Sequence, residues 1–388
     1  MTLGASVGAL GAVVNGPALT TRAVVRALTV PVAHSGTTHA GTPHWILGAI
    51  TLLGVAAVAF GWTKLRDADA TGRVGVGVFS AGVVLVIAGT IGLVEVQITP
   101  GSTPEWTRWF PVINAITAMV LAVGSLVVVR WQWPERPRYV GLGFLLAAWI
   151  GYPTLMPREG LSHPFGYLLA AAVPAAIAYV LWRDAGDAVP AVFRARVPKL
   201  AALVTFSLFT VFYAFSTGTL SVNPDVTPEM AGQGFVTPYQ VASPLVYWPA
   251  LEFYVPAIPL SGYVSLGSLL LVAVLGGLVA TNAALAARQW TASGAVESPR
   301  AMIGTVTTAG ATACGCCAPA VYGATGALFG AAATPVYWAF MDPSSPVGGL
   351  FFAASVLLLT GSALRASHDP ACEIPRETES SAVSEQAA

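Results

Sequence analysis

A chain of 388 residues that is 55% hydrophobic and only 9% charged is not a soluble domain. Soluble domains carry roughly 25% charged residues, so the deficit points to lipid as the solvent. The formal net charge of zero gives no basic or acidic surface for nucleic acid, and four cysteines in this length do not make a disulfide framework.

The first 44 residues read as an extracytoplasmic leader or histidine-containing segment. Gly4 to Val14 is apolar, but Arg22 and Arg26 follow it, whereas a secretory signal places its basic residues first. A surface segment or a misassigned start fits this order equally well.

A membrane helix needs about 20 mostly apolar residues. The chain offers about nine such runs by that criterion, and the fold expected is an all-α polytopic bundle over residues 45–365. The runs are Trp45 to Trp62, Val74 to Val96, Trp109 to Val129, Tyr139 to Met156 and Phe165 to Trp182, the last with a kink expected at Pro174. They continue with Leu200 to Leu220, Tyr263 to Ala287, Ala301 to Phe329 and Gly348 to Leu364. Residues 366–388 are rich in Glu and Ser and read as a disordered cytoplasmic tail.

Charge placement fixes an expected orientation. Of the 18 basic residues, fourteen fall in alternate connections: Lys64 to Arg73, Arg130 to Arg138, Arg183 to Lys199, Arg288 with Arg300, and Arg365 with Arg376. Arg22, Arg26, Arg108 and Arg158 fall on the opposite side. The positive-inside rule then puts the N-terminus outside and the C-terminus inside a cell membrane. Tryptophans such as Trp45, Trp109, Trp131 and Trp182 mark both interfaces, as an aromatic belt does.

The longest connection, Ser221 to Gly262, holds no Lys or Arg, and Pro249, Pro256 and Pro259 interrupt its apolar part. That pattern fits a re-entrant or surface-lying segment better than a span. No internal repeat is evident, which gives no support to an inverted-repeat transporter.

Three of the four cysteines lie in Thr312-Ala-Cys-Gly-Cys-Cys-Ala-Pro319, inside the eighth run. On a helix Cys314 and Cys317 share a face, and Cys316 points about 160 to 200 degrees away. The ring of Pro319 would clash with the carbonyl of Gly315, four residues back, and a kink there would let Cys316 swing toward the other two. Counting from Ala301 at 1.5 Å per residue, Cys314 lies roughly 20 Å along the helix, past the bilayer centre.

Three thiols in four residues suit a soft ion such as copper in its monovalent state. A bound cation would also offset thiolates that lipid does not otherwise tolerate. Thiol–disulfide exchange is the alternative chemistry. Against both stands a packing role: the run is rich in Gly, Ala and Thr, and Gly326-Ala-Leu-Phe-Gly330 permits close helix contact. Cys316 to Pro319 resembles the vicinal-cysteine helix of small mercuric-ion transporters. The resemblance spans only those residues, and since those transporters have fewer helices it implies neither their fold nor their ion here.

His34, His39 and His44 sit on the expected outer side, with His163 on the same face. Imidazole suits copper and zinc, but a spacing of five among Gly36, Gly41 and Pro43 is a loop, and a solvated polar segment explains it as well. Glu95 stands out as a carboxylate near the end of a span. No histidine or lysine lies inside a run, which argues against a bis-histidine haem and a lysine Schiff base. The expectation is a membrane protein that binds or transports a soft, copper-like ion through Cys314, Cys316 and Cys317, with His34, His39 and His44 capturing it outside. A membrane thiol-redox protein and a non-catalytic subunit bound to other membrane subunits are the alternatives.

Overall fold

The computed structural model describes residues 44–66, 72–95, 102–155, 159–186, 188–222, 234–258, 260–293, 321, 325, 329–342 and 345–368. Helices α1 (His44–Arg66) and α2 (Gly72–Glu95) form an antiparallel hairpin. A 3₁₀ turn, Glu105–Trp109, leads into α3 (Phe110–Gln132). Then come α4 (Arg138–Leu155), α5 (Pro164–Ala185), the short α6 (Ala188–Arg194) and α7 (Arg196–Ser216). After a sheet the chain returns as α8 (Leu266–Leu271), a π turn over Val272–Gly276 and α9 (Gly277–Ser293). It closes with α10 (Thr334–Met341) and α11 (Pro346–Ser367).

Among the described residues, seven helices are long and apolar enough to cross a membrane. They are α1, α2, α3 with its 3₁₀ turn, α5, α7, the α8–α9 unit and α11. Helix α4 answers to the expected fourth span but is not among these seven. Eight of its 18 residues, from Leu142 to Tyr152, are buried, while Phe144 and Leu155 stay exposed. The expected eighth span lies outside the described residues except at Val321, Thr325 and Phe329, which are helical.

The core is built by α4, α5, α9 and α11. Trp149 of α4 stacks on Phe352 of α11 with centroids 4.5 Å apart. Around that pair Leu146, Ile150, Val173, Val180 and Val356 are almost fully buried. The α1–α2 hairpin and α3 turn apolar side chains outward instead: Leu52 is 70% exposed and Met119 67%. Lipid rather than water suits such faces. Pro174 sits inside α5, which continues through it.

The segment expected to be re-entrant or surface-lying is an antiparallel sheet, so the all-α expectation holds for the bundle and not for the whole chain. Strands β1 (Leu220–Val222), β2 (Phe235–Ala242), β3 (Tyr247–Val255) and β4 (Leu260–Ser265) are ordered β1-β4-β3-β2. The prolines that argue against strands are placed where a strand tolerates them. Pro238 lies in the edge strand β2. Pro249 pairs only with Gln240, because the pairing of β3 with β4 begins one residue later at Ala250↔Ser265; each proline therefore loses no bond that a central position would need. The sheet also trims two expected spans. Gly218, at φ 70°, ends α7 early and turns Leu220 into β1. At the other end, Tyr263 belongs to β4, and Ser265 caps α8 by accepting from Ser268 N at 3.0 Å.

Candidate functional site

Cys314, Cys316, Cys317, His34 and His39 lie outside the described residues, and His44 is the first residue of α1. Later in the same run of sequence, Thr325 Oγ1 donates to the Val321 carbonyl at 2.7 Å, one helical turn back. His163, which shares the expected outer side with the other histidines, caps α5: its Nδ1 accepts from Phe165 N at 3.2 Å. Glu95 is the last residue of α2. Among the described residues, no three His, Cys, Asp or Glu side chains converge as a metal site would require.

Two other arrangements are well defined. The first is a charge cluster at the end of the bundle where α3 hands over to α4 and α5 finishes. The Asp184 side chain is 3% exposed. It accepts from Arg138 Nε at 2.7 Å and also from Arg138 Nη2, a bidentate pair. Arg136 Nη1 stands 3.8 Å from Asp184 Oδ1 and donates to the Tyr139 hydroxyl at 3.0 Å. Trp133 meets the Tyr139 ring edge-on at 5.8 Å. A carboxylate in the last turn of a helix faces the negative end of the macrodipole, so the two arginines offset both burial and dipole. The cluster joins α4 to α5. Sequence reasoning passed over it because Asp184 lies beyond the last apolar residue of its span; the signal was an acid directly after Trp182-Arg183, opposite Arg136-Pro137-Arg138.

The second arrangement is at the opposite end, one length of α5 away. The turn between β2 and β3 dips into the helices: Val246 is 0% exposed and joins the cluster that contains Trp149 and Tyr152. The Tyr167 hydroxyl donates to the Tyr247 carbonyl at 2.5 Å, and Trp248 Nε1 donates to the Pro244 carbonyl at 2.9 Å. Tyr167 and Trp248 also pack edge to face at 5.2 Å. Two glycines admit this turn. A Cβ on Gly166 would collide with Val246 and Tyr152, and one on Gly267 would meet Ser243, Pro244 and Trp248. Beyond the turn, the sheet presents an apolar face, with Val236 69%, Leu251 55% and Val264 46% exposed. Register places all three on one side.

Inside the bundle, Asn282 Nδ2 donates to Leu278 O at 2.8 Å and to Leu359 O at 3.0 Å. The second bond crosses from α9 to α11. This is a polar tie between membrane helices, of the kind that fixes their register. These arrangements hold the helices together, and none brings a nucleophile to a base. Comparison with known protein families, curated proteins and solved structures finds no match.

Proposed function

We propose that the chain is a nine-span protein of the cell membrane, N-terminus outside and C-terminus inside, that binds or moves a soft copper-like ion through Cys314, Cys316 and Cys317. The observation that carries this reading is the placing of three thiols in four residues, before Pro319, within an apolar run. His34, His39 and His44 are the capture ligands on the outer side. The test is elemental analysis of purified protein beside a triple Cys→Ser variant. Serine is nearly isosteric but a hard donor, so bound metal collapses while the fold survives. Full metal content in the triple variant sinks the proposal. The thiol-redox alternative uses the same residues, and thiol trapping under reducing and oxidising conditions separates it.

A second reading, a non-catalytic subunit of a larger membrane complex, is favoured by the apolar face of the sheet. Val236, Leu251 and Val264 lie side by side on it, and contiguous exposed apolar surface marks interaction sites. Co-purification of a partner after mild solubilisation supports this reading, and its loss in Leu251→Glu assigns the contact to the sheet.

A further inference from the structure

The last turns of α3, the first turns of α4 and their connection line a groove of about 550 Å³. Leu126, Val129, Val140 and Phe144 line its length, and Arg130 and Trp133 stand at its mouth. The two ion pairs among the described residues both converge on Asp184, which engages Arg136 and Arg138. Glu135, exposed in the same connection, forms no ion pair among them. Arg130 is exposed and has no ion pair or hydrogen bond to another described residue, although it is the cation on the groove.

We propose that this groove binds an anionic phospholipid of the leaflet at the basic end, its phosphate against Arg130 and an acyl chain along Leu126, Val140 and Phe144. Three features fit that occupant together. The walls are apolar from Leu126 to Val129 on α3 and from Val140 to Phe144 on α4, which suits part of an acyl chain. The lining carries Arg130, a positive charge without an ion-pair partner among the described residues, complementary to a phosphate. Trp133, 41% exposed beside it, is the side chain that settles at headgroup level. Two prolines, Pro134 and Pro137, hold the connection that keeps the helices apart.

The glycine at position 141 supplies a clean test. It lines the groove, yet a Cβ built on it meets no heavy atom within 4 Å. A leucine there starts from a Cβ position free of contact and narrows the groove.

The full chain in detergent is loaded from vesicles of phosphatidylglycerol or of phosphatidylcholine, and retained lipid is read by native mass spectrometry. The wild type keeps phosphatidylglycerol over phosphatidylcholine by about fivefold, the preference one interfacial arginine confers. Arg130→Gln brings the two lipids level. Gly141→Leu lowers retention of both. Arg183→Gln, an exposed arginine at the same end but away from the groove, keeps the wild-type preference. Inorganic phosphate does not displace the lipid, because it offers nothing to the apolar walls. Equal retention of the two lipids by the wild type, or an unchanged preference in Arg130→Gln and Gly141→Leu alike, overturns the proposal. Size-exclusion profiles confirm that each variant is folded.

Discussion

A carboxylate that is 3% exposed at the end of a membrane helix persists only if its charge is matched. Asp184 is matched unequally. Arg138, 20% exposed, holds it with two hydrogen bonds, and Arg136, 36% exposed, approaches only to 3.8 Å. Removing the acid leaves Arg138 desolvated and unpaired, so Asp184→Asn is expected to cost on the order of 3 kcal/mol. Arg136→Gln gives up a longer, wetter contact and is expected to cost under about 1 kcal/mol. Thermal unfolding in detergent orders the two, and the reverse order would remove Asp184 from its place as the tie between α4 and α5. Gly166 is the matching case at the other end. Any side chain there displaces Val246 from the bundle, and Gly166→Val is expected to cost about 1 to 3 kcal/mol as an overpacked site. Altered emission from Trp248, which rests on Tyr167 of the same helix turn, would report the displaced hairpin.

Helices α1 and α2 show what holds an element in place when its side chains face lipid. Gly54 and Gly61 on one helix, and Gly82 and Gly89 on the other, recur every seven residues and so fall on one face. A Cβ on Gly54 would stand 2.6 Å from Val86 N, and one on Gly82 2.6 Å from Val58 N. The backbones touch, which is how apolar helices associate where no hydrophobic force separates them from lipid. Gly48 and Gly77 lie in the same two helices with nothing within 4 Å of an added Cβ. Gly54→Ala is therefore expected to destabilise the hairpin. Gly48→Ala and Gly77→Ala are expected to be neutral or stabilising by up to about 1 kcal/mol, from helix propensity alone. A melting series on the three variants decides it.

The same elements explain which parts of the fold were legible. Span composition reports lipid exposure directly, so α1, α2, α3, α5, α7 and α11 fall close to the apolar runs. The sheet was hidden because Pro249, Pro256 and Pro259 interrupt the apolar stretch, yet Pro249 falls beyond the reach of β4 and Pro256 follows the end of β3. The seven-residue glycine spacing was present in the sequence and marks the α1–α2 seam. The charge cluster needed three dimensions, since Arg138 and Asp184 lie 46 residues apart. Cys314, Cys316, Cys317, His34 and His39 fall outside the described residues.

At the scale of the molecule, α5 links two chemically opposite ends. Tyr167 near its start packs on the sheet, whose connection from Ser221 to Gly262 holds no Lys or Arg. Asp184 near its finish meets Arg136 and Arg138, with Arg183 alongside. The helix has 22 residues, about 33 Å at 1.5 Å per residue, which matches a bilayer core of about 30 Å. Helix α4, of 18 residues, runs back over about 27 Å beside it. The sheet and the arginines thus stand about one length of α5 apart, and the proposed orientation puts the arginine end inside. Single cysteines in a variant lacking the four native ones test this. Ser293→Cys, at the last residue of α9, is expected to react with an impermeant thiol reagent only from the inside. Ser102→Cys, before the 3₁₀ turn that opens α3, is expected to react only from the outside. Val236→Cys, 69% exposed on the sheet, follows Ser102→Cys. Labelling of Ser102→Cys only from the inside reverses the orientation. A split between Ser102→Cys and Val236→Cys means that an odd number of crossings separates them, contrary to the proposed path in which α4 crosses together with α3, α5 and α7.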